Sequence, residues 1–309
     1  MTPPLGPAKL FGMESHVTCL FRSSTVEIVD WRCSGRVEPF AAEEGNDMHE
    51  IVVPRRGAYV RRVAGEDVFV DPGTVAFSHP GEVHRVRHPI PGGDACSAFR
   101  LAPSVAAELI GPTDPEVAER PASPFPASSA PLDGRIYLLH RLALRAAADQ
   151  RAPPLEVEER ALAFASAAVA SAGGPTAARR GSVGARQSRA ARDCAARARE
   201  VIARRYRGRL TLADLAHETG CSPFHLSRVF TAILGVPIHR VVLRLRLRDA
   251  LERLLSTRDG VSGVAYATGF ASHSHLTDAF RREYGCAPSL VRRLAPLDLD
   301  SLCVRARSH

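Results

Sequence analysis

The sequence predicts a multi-domain protein of mixed α and β structure. We expect an N-terminal β-barrel followed by a helical segment, and a C-terminal all-α domain built from two copies of one helical unit. Three observations predict this fold class. Short runs rich in β-branched residues cluster in residues 17–101, a helical pattern extends from Arg189 to about Leu294, and part of that pattern occurs twice. The 309 residues, of which 45% are hydrophobic, are enough for two cores.

Composition and cysteine placement disfavour several classes of protein. No apolar run approaches the roughly 18 residues that a membrane span needs. The first ten residues contain three prolines and lack the apolar stretch of a secretory signal. The seven cysteines are odd in number and scattered, with no C-x-x-C pair, which disfavours a disulfide framework or a cysteine zinc cluster. We therefore expect a cytoplasmic protein without a membrane segment.

The first predicted domain, residues 1–110, is the β-barrel. Turn residues such as Asp71-Pro72-Gly73 and Pro80-Gly81 separate its strands. Many short strands at close spacing are typical of sandwiches and barrels. The predicted strands are Val26–Val29, Ile51–Val53, Ala58–Val63, Val68–Val70, Thr74–Phe77, Val83–Val86 and Ser97–Leu101.

A predicted helical segment, residues 132–171, lies between two linkers. Six prolines in residues 111–131 predict the first linker. Leu132–Asp149 and Leu155–Ser171 then show apolar residues at helical spacing. Residues 172–188 are rich in Gly, Ser and Arg, which predicts a flexible basic linker.

The predicted C-terminal domain, residues 189–295, contains the internal repeat and is followed by a tail, residues 296–309. In each copy a small alanine permits close helix crossing, and a glycine supplies the positive φ that ends a helix. An apolar pair four residues apart then seats a second helix. The repeated positions are Ala216, Gly220, Leu226 and Phe230 in the first copy and Ala265, Gly269, Leu276 and Phe280 in the second, offset by 49 residues before the turn and 50 after it.

Each copy has the plan of a helix-turn-helix unit. Ser222-Pro223 and Ser272 are predicted to cap the second helix of their copies. In such a unit the second helix enters the major groove of DNA. Val236–Ser256, between the copies, is predicted to form one helix of roughly 30 Å. Because one turn of DNA is roughly 34 Å, this spacer could hold two reading helices in successive major grooves.

Charge is distributed unevenly along the chain. Residues 1–171 carry 17 Lys and Arg against 22 Asp and Glu, a net charge of −5. Residues 172–309 carry 24 against 11, a net charge of +13. A basic half beside an acidic half indicates a polyanionic partner, of which nucleic acid is the commonest; the alternative is a solvated basic surface.

Residues from about 190 to 295 resemble the DNA-binding domain of the AraC/XylS family of transcriptional regulators. The resemblance implies a sequence-specific regulator such as an activator, with promoter DNA and RNA polymerase as partners. It also implies that residues 132–171 form a homodimer contact, and simple packing against the barrel is the alternative. The matching motifs are Thr211-Leu212, Leu215-Ala216, Ser222-Pro223, His225 to Phe230, Gly235, Arg246-Leu247-x-x-Ala250-x-x-Leu254-Leu255, Val264-Ala265-x-x-x-Gly269-Phe270, Leu276, Phe280-Arg281-Arg282 and Gly285-Cys286-Ala287-Pro288.

Geometry and this resemblance together predict the residues that contact DNA. Arg228 could donate two hydrogen bonds to a guanine or contact a phosphate, and both interpretations stay open. Asp278 departs from the basic or neutral residue usual in the family; it would repel phosphate but can accept from cytosine N4. Phosphate contact or solvation is expected for Arg240, Arg244, Arg281 and Arg282. The remaining predicted contacts are Phe224, His225, Ser227, His273, Ser274 and His275.

The N-terminal block resembles the cupin-like sensory domain often joined to such a DNA-binding domain. Gly73 to His84 is similar to the second cupin motif, which implies a small-molecule effector contacted by His49, His79 and His84. The metal-binding H-x-H…E set is missing, and His84 and His88 would lie roughly 13 Å apart on a straight strand. We therefore predict no metal, no cofactor and no enzyme activity. The alternative is a cupin-type metal-dependent enzyme with an appended DNA-binding module.

Overall fold

The computed structural model describes residues 15–34, 39–111, 125–173 and 188–293. The chain divides into two compact units, the first formed by Met1–Leu132 with Leu139–Arg179 and the second by Asp133–Leu138 with Arg180–His309. Most of the two predicted linkers and the predicted tail at 296–309 lie outside the described residues.

The described part of the first unit contains ten strands in two sheets. A six-stranded sheet has the order β1-β2-β9-β4-β7-β10, and a four-stranded sheet has the order β3-β8-β5-β6. All strand pairs are antiparallel. The strands are β1, Ser15–Arg22; β2, Val26–Cys33; β3, Glu44–Gly45; β4, His49–Arg56; β5, Tyr59–Val63; β6, Glu66–Val70; β7, Thr74–Ser78; β8, Val83–Arg87; β9, Asp94–Leu101; and β10, Ser129–Pro131.

The predicted closed β-barrel is wrong. The two sheets have no ladder of hydrogen bonds between them among the described strands, and each keeps its own edges. A sandwich and a barrel both bury one face of every strand, so short alternating runs do not distinguish them; only the pairing of the edge strands does. The last three residues of the predicted linker, Ser129–Pro131, form β10 and pair with β7.

The central strands β9, β4 and β7 of the six-stranded sheet are covered on both faces, which explains their nearly continuous burial. Along β9, Cys96 and Ala98 join the core between the two sheets. Phe99 points the other way, with its ring centroid 4.6 Å from that of Phe164 in a helix behind the sheet. Because neighbouring side chains on a strand alternate between faces, one strand contributes to both cores.

Three helices accompany these sheets. The helix α1, Pro103–Ile110, lies inside the predicted barrel domain, where no helix was expected. The helices α2, Gly134–Ala148, and α3, Pro154–Gly173, occupy the predicted helical segment. Behind the sheet, His140 Nε2 of α2 and Ser97 Oγ of β9 share a hydrogen bond of 2.5 Å.

The second unit is helical throughout its described part. The spacer helix begins at Ile238 rather than Val236, because Pro237 takes the extended N-cap position. No described helix alone is long and apolar enough to span a membrane; α6 and α7 pass that test only as a pair bent by 63°. The helices are α4, Arg189–Arg205; α5, Leu212–Thr219; α6, Pro223–Leu234; α7, Ile238–Ser256; α8, Val261–Ala267; α9, His273–Tyr284; and α10, Pro288–Arg293.

Candidate nucleic-acid interface

The first helix-turn-helix unit consists of α5 and α6. Thr211 and Asp214 form a capping box at the start of α5, since each side chain bonds the other residue's backbone amide. The helix ends at Gly220, whose φ of 68° is left-handed and suits a residue without Cβ. Ser222 then caps α6 by accepting a hydrogen bond of 3.2 Å from the amide of His225. The predicted glycine turn and serine cap are confirmed.

The predicted framework residues of this unit form its core. Ala216, Leu226 and Phe230 are buried and pack in one cluster with residues of α4, including Ala198 and Ile202. Burying one face of α6 leaves its opposite face to solvent, as a surface helix requires. The framework therefore holds α6 by its apolar side.

The exposed face of α6 carries every residue predicted on it to contact DNA. Phe224 is 80% exposed, which is unusual for a large apolar side chain. His225, Ser227 and Arg228 are also exposed. Within the described residues the Arg228 guanidinium has no ion-pair or hydrogen-bond partner, so its donors are available to a ligand.

The second helix-turn-helix unit, α8 and α9, repeats this plan. Ser272 Oγ accepts from the amide of His275 at 3.1 Å, which confirms its predicted role as an N-cap. Gly269 has the predicted positive φ, 85°. The predicted framework side chains are all buried; they are Ala265, Leu276 and Phe280.

The exposed face of α9 differs in chemistry from that of α6. The His275 ring packs edge-on against Phe270, with centroids 5.2 Å apart, and this contact fixes its direction. Arg282 Nε donates 3.2 Å to the backbone oxygen of Asp278. The predicted contact residues on this helix are all exposed; they are His273, Ser274, His275, Asp278, Arg281 and Arg282.

The two arginines predicted on the spacer helix differ in their surroundings. Arg240 is exposed in the first turn of α7. Arg244 is half-buried, and its Nε lies 3.7 Å from Glu283 Oε1 of α9. A neighbouring carboxylate offsets the charge of Arg244, so Arg240 has the freer charge of the two.

Two matching threonines were missed by the sequence analysis. Thr219 is buried and donates 2.8 Å to the carbonyl of Leu215, and Thr268 is buried and donates 2.7 Å to the carbonyl of Val264. Both precede the turn glycine and lie 49 residues apart. Extending the repeat by one residue would have found them.

Arg246 of α7 was also missed as a contact residue. Its guanidinium donates to the carbonyls of Tyr206, Gly208 and Gly269 at 2.6, 2.8 and 2.7 Å. Carbonyl acceptors exist at every residue, so no pattern of residue types could have indicated these partners.

The N-terminal compact unit, which holds the two sheets, contains a cavity of about 120 Å³ between them. His84 lines this cavity, but His49 and His79 do not. On β4 the cavity is lined by Glu50 and Val52, so His49 lies on the opposite face, where its ring meets those of His79 and Phe125. The three predicted effector contacts are therefore not brought together.

Ionisable groups line much of the cavity. His88 Nε2 lies 2.7 Å from Asp94 Oδ2; burial alone would lower the pKa of His88, but bonding to Asp94 and Cys33 raises it to about 9. Burial, with the nearby charge of Arg61, lowers the pKa of His84 to about 4. Burial raises the pKa of Glu44 to about 7. At neutral pH the cavity thus offers both donors and acceptors to a polar molecule.

No group of three or more His, Cys, Asp or Glu side chains in the described part of the chain is arranged to hold a metal ion. The rings of His49 and His79 have centroids 6.1 Å apart and meet edge to face.

Comparison with known proteins gives matches that each cover part of the chain. A helix-turn-helix domain family matches residues 215–294. The HTH-type transcriptional activator AarP of Providencia stuartii is 34% identical over 84 residues, which cover 27% of this chain and 62% of AarP. The bifunctional transcriptional activator/DNA repair enzyme AdaA of Bacillus subtilis is 25% identical over 99 residues, or 32% of this chain and 47% of AdaA.

A solved structure is also similar to part of this chain. The C-terminal domain of AraT, a response regulator from Geobacillus stearothermophilus, is 28% identical, with a TM-score of 0.32, over 37% of this chain and 93% of that domain. The matched part of this chain spans less than two thirds of the two curated relatives. The family match over residues 215–294, together with the curated relatives, shows that this chain carries a C-terminal helix-turn-helix domain of the AraC type.

Proposed function

We propose that this chain is a sequence-specific DNA-binding regulator of transcription, in which α6 and α9 read two successive major grooves. One observation carries the proposal. Two copies of the same capped framework each present a second helix whose N-terminal turn is exposed and polar or aromatic rather than packed. The net charge of +13 over residues 172–309 supports a polyanionic partner.

The length of the spacer helix supports reading of two grooves. The 19 residues of α7 extend roughly 28 Å at about 1.5 Å per residue. One turn of DNA advances roughly 34 Å, so helices at the two ends of such a spacer are separated by about the distance between grooves. A chain binding in this way contacts two short boxes of sequence about one turn apart.

Within this proposal the exposed side chains have distinct roles. Arg228 donates to a guanine edge in the first box, because its five donors form a fork and no described residue competes for them. Asp278 accepts from a cytosine amino group in the second box. Arg240, Arg281 and Arg282 contact phosphates, and Arg244 does so only weakly because Glu283 lies beside it.

We further propose that the N-terminal compact unit controls DNA binding. Its cavity binds a small polar effector, with His84 rather than His49 or His79 as the contacting histidine. The helices α2 and α3 form a homodimer contact, residues 172–188 connect to the DNA-binding domain at 189–295, and the DNA-bound chain contacts RNA polymerase. We propose that the chain is not an enzyme.

Selection of binding sites from a random duplex pool by the purified full chain tests the proposal. We expect enrichment of two boxes with centres about one helical turn apart, and binding that weakens steeply as salt is raised. Failure of a folded chain to enrich any sequence would overturn sequence-specific binding. Enrichment of one box alone would overturn the two-groove arrangement.

A further inference from the structure

The middle of the spacer helix carries an arginine with three backbone partners. Arg246 Nε donates to the carbonyl of Tyr206 at 2.6 Å, Nη2 to that of Gly208 at 2.8 Å and Nη1 to that of Gly269 at 2.7 Å. These three partners are all carbonyl oxygens. The guanidinium is therefore held by fixed points of the backbone rather than by another mobile side chain.

The three carbonyls belong to the two different halves of the DNA-binding domain. Tyr206 and Gly208 directly follow α4, whose residues form the core of the first helix-turn-helix unit. Gly269 lies in the turn of the second unit, between α8 and α9. One side chain of the spacer thus bonds to both halves of the domain at once.

The two backbones approach each other closely at this point. A Cβ on Gly269 would lie 2.3 Å from the carbonyl oxygen of Arg207 and 3.0 Å from Arg246 Nε. Real Cβ atoms essentially never come so near a backbone oxygen. Glycine is therefore required at residue 269 both for its positive φ and to allow the contact between the units.

The chemistry of the contact is specific to arginine. A guanidinium is a rigid planar fork with five N–H donors, so it reaches three acceptors in fixed directions. A lysine has the same charge on one nitrogen and cannot span the three carbonyls. Arg246 is half-buried, and this burial lowers the pKa of its guanidinium from the ordinary value.

We infer that Arg246 is a positioning residue, which locks the second helix-turn-helix unit against the first and so sets the distance and angle between α6 and α9. This inference rests on the proposed function, since the lock matters for binding only if both helices read DNA together. A fixed arrangement allows the second helix to bind without a further loss of freedom once the first is in its groove.

The geometric part of the inference can be tested without DNA. Spin labels on ketone-bearing amino acids at the exposed residues Thr231 of α6 and Ser262 of α8 report the distance between the units in the full chain. We expect a narrow distance distribution for the parent chain and a clearly broader or shifted one for Arg246→Lys and Arg246→Gln. An unchanged distribution in both variants would overturn the inference.

Two further variants sharpen this test. Gly269→Ala displaces the partner backbone while keeping Arg246, and we expect it to broaden the distribution as well. Arg253→Gln removes an arginine of the same helix whose Nε lies 3.3 Å from Asp249 within one turn, and we expect no change. Broadening in Arg253→Gln of the same size as in Arg246→Lys would overturn the specific role of Arg246.

The effect on DNA binding is tested with duplexes obtained by selection with the parent chain. One duplex carries both boxes, and in the other the second box is scrambled. We expect Arg246→Lys to bind the two-box duplex about tenfold or more weakly and the one-box duplex nearly as well as the parent does. Equal losses on both duplexes would indicate a stability role only and overturn the inference. Failure of the parent chain to bind any duplex would instead overturn the proposed function and leave the distance measurement to decide the role of Arg246.

Discussion

The first helix-turn-helix unit, α5 with α6, and the second, α8 with α9, place the same residue types in the same buried positions. An alanine, a threonine, a glycine turn, a serine cap, a leucine and a phenylalanine recur in order. The exposed positions of the reading helices have diverged. Arg228 of α6 corresponds to Asp278 of α9, and Phe224 corresponds to Ser274, at an offset of 50 residues.

This contrast separates what packing requires from what recognition requires. A buried leucine or phenylalanine is constrained by the volume of the core, so it is the same in both units. An exposed side chain is constrained only by what it contacts. Opposite charges at equivalent positions therefore predict two boxes of different sequence and a binding site without internal symmetry.

The units also differ in how their first helices begin. The capping box of Thr211 and Asp214 satisfies free amides at the start of α5. Gly260 precedes α8 and supplies no side-chain cap. Helix caps typically contribute about 1 kcal/mol, so the second unit begins with the less stable helix.

Breaking the spacer helix has the largest expected effect on this pair of units. Leu247→Pro removes a backbone hydrogen bond and creates a clash in the middle of α7, at a cost of about 3 kcal/mol or more. We expect loss of helical circular dichroism and a fall of two-box affinity to the one-box value or below. Leu247→Met, which conserves volume, is the control and should cost less than about 1.5 kcal/mol. Undiminished two-box binding by Leu247→Pro would show that the units do not act together.

Matched truncations of the two cores test whether the frameworks are equivalent. Phe230 and Phe280 are both fully buried, so Phe230→Ala and Phe280→Ala should each cost about 3–5 kcal/mol. Hydrogen exchange followed by mass spectrometry reports the units separately, and we expect faster exchange in the truncated unit. The exposed neighbours serve as controls, since Thr231→Ala and Arg281→Ala should change stability by less than about 0.5 kcal/mol. If only one of the two substitutions destabilised the protein strongly, the two frameworks would not be equivalent.

A matched pair of surface variants tests the divergence of the reading helices. Arg228→Ala should weaken binding to the selected duplex by about 1–3 kcal/mol more than binding to random DNA. Asp278→Asn should reduce discrimination at one base pair of the second box by about 1–3 kcal/mol and raise affinity for random DNA, because a charge that repels phosphate is removed. Titrations of each variant with selected and with random duplexes, at one fixed salt concentration, measure these affinities. Equal losses on both DNAs for Arg228→Ala would place that side chain on a phosphate.

The caps have the smallest expected effects, of opposite sign in the two units. Thr211→Ala should destabilise α5 by about 1 kcal/mol. Gly260→Ser adds a capping hydroxyl where the backbone is already extended and a Cβ meets no atom within 4 Å, so it should stabilise α8 by a few tenths of a kcal/mol. Amide exchange in the first turn of each helix measures both changes. Destabilisation of α8 by Gly260→Ser would contradict the capping argument.

Local features of both helix-turn-helix units were predictable from the sequence because they depend on nearby residues. Ser222 and Ser272 cap amides three residues later, and Gly220 and Gly269 end helices through their own φ. Each of these roles has a residue type and a spacing that identify it.

The features that sequence reasoning missed depend on distant pairing. A barrel closes only if its edge strands pair with each other, and the sequences of the individual strands do not show which strands pair. The side of β4 on which His49 lies follows from strand register, and a shift of one residue would have put it in the cavity. Arg246 bonds to carbonyls 23 to 40 residues away, which any residue type could supply.

We propose that α6 and α9 bind one duplex at the same time, about one helical turn apart. The most direct measurement compares the affinity of the full chain for the selected duplex with its affinity for the same duplex carrying five extra base pairs between the boxes, about half a turn. We expect the insertion to lower the affinity to that of a duplex with one box. Equal affinity for the original and the inserted duplex would contradict it.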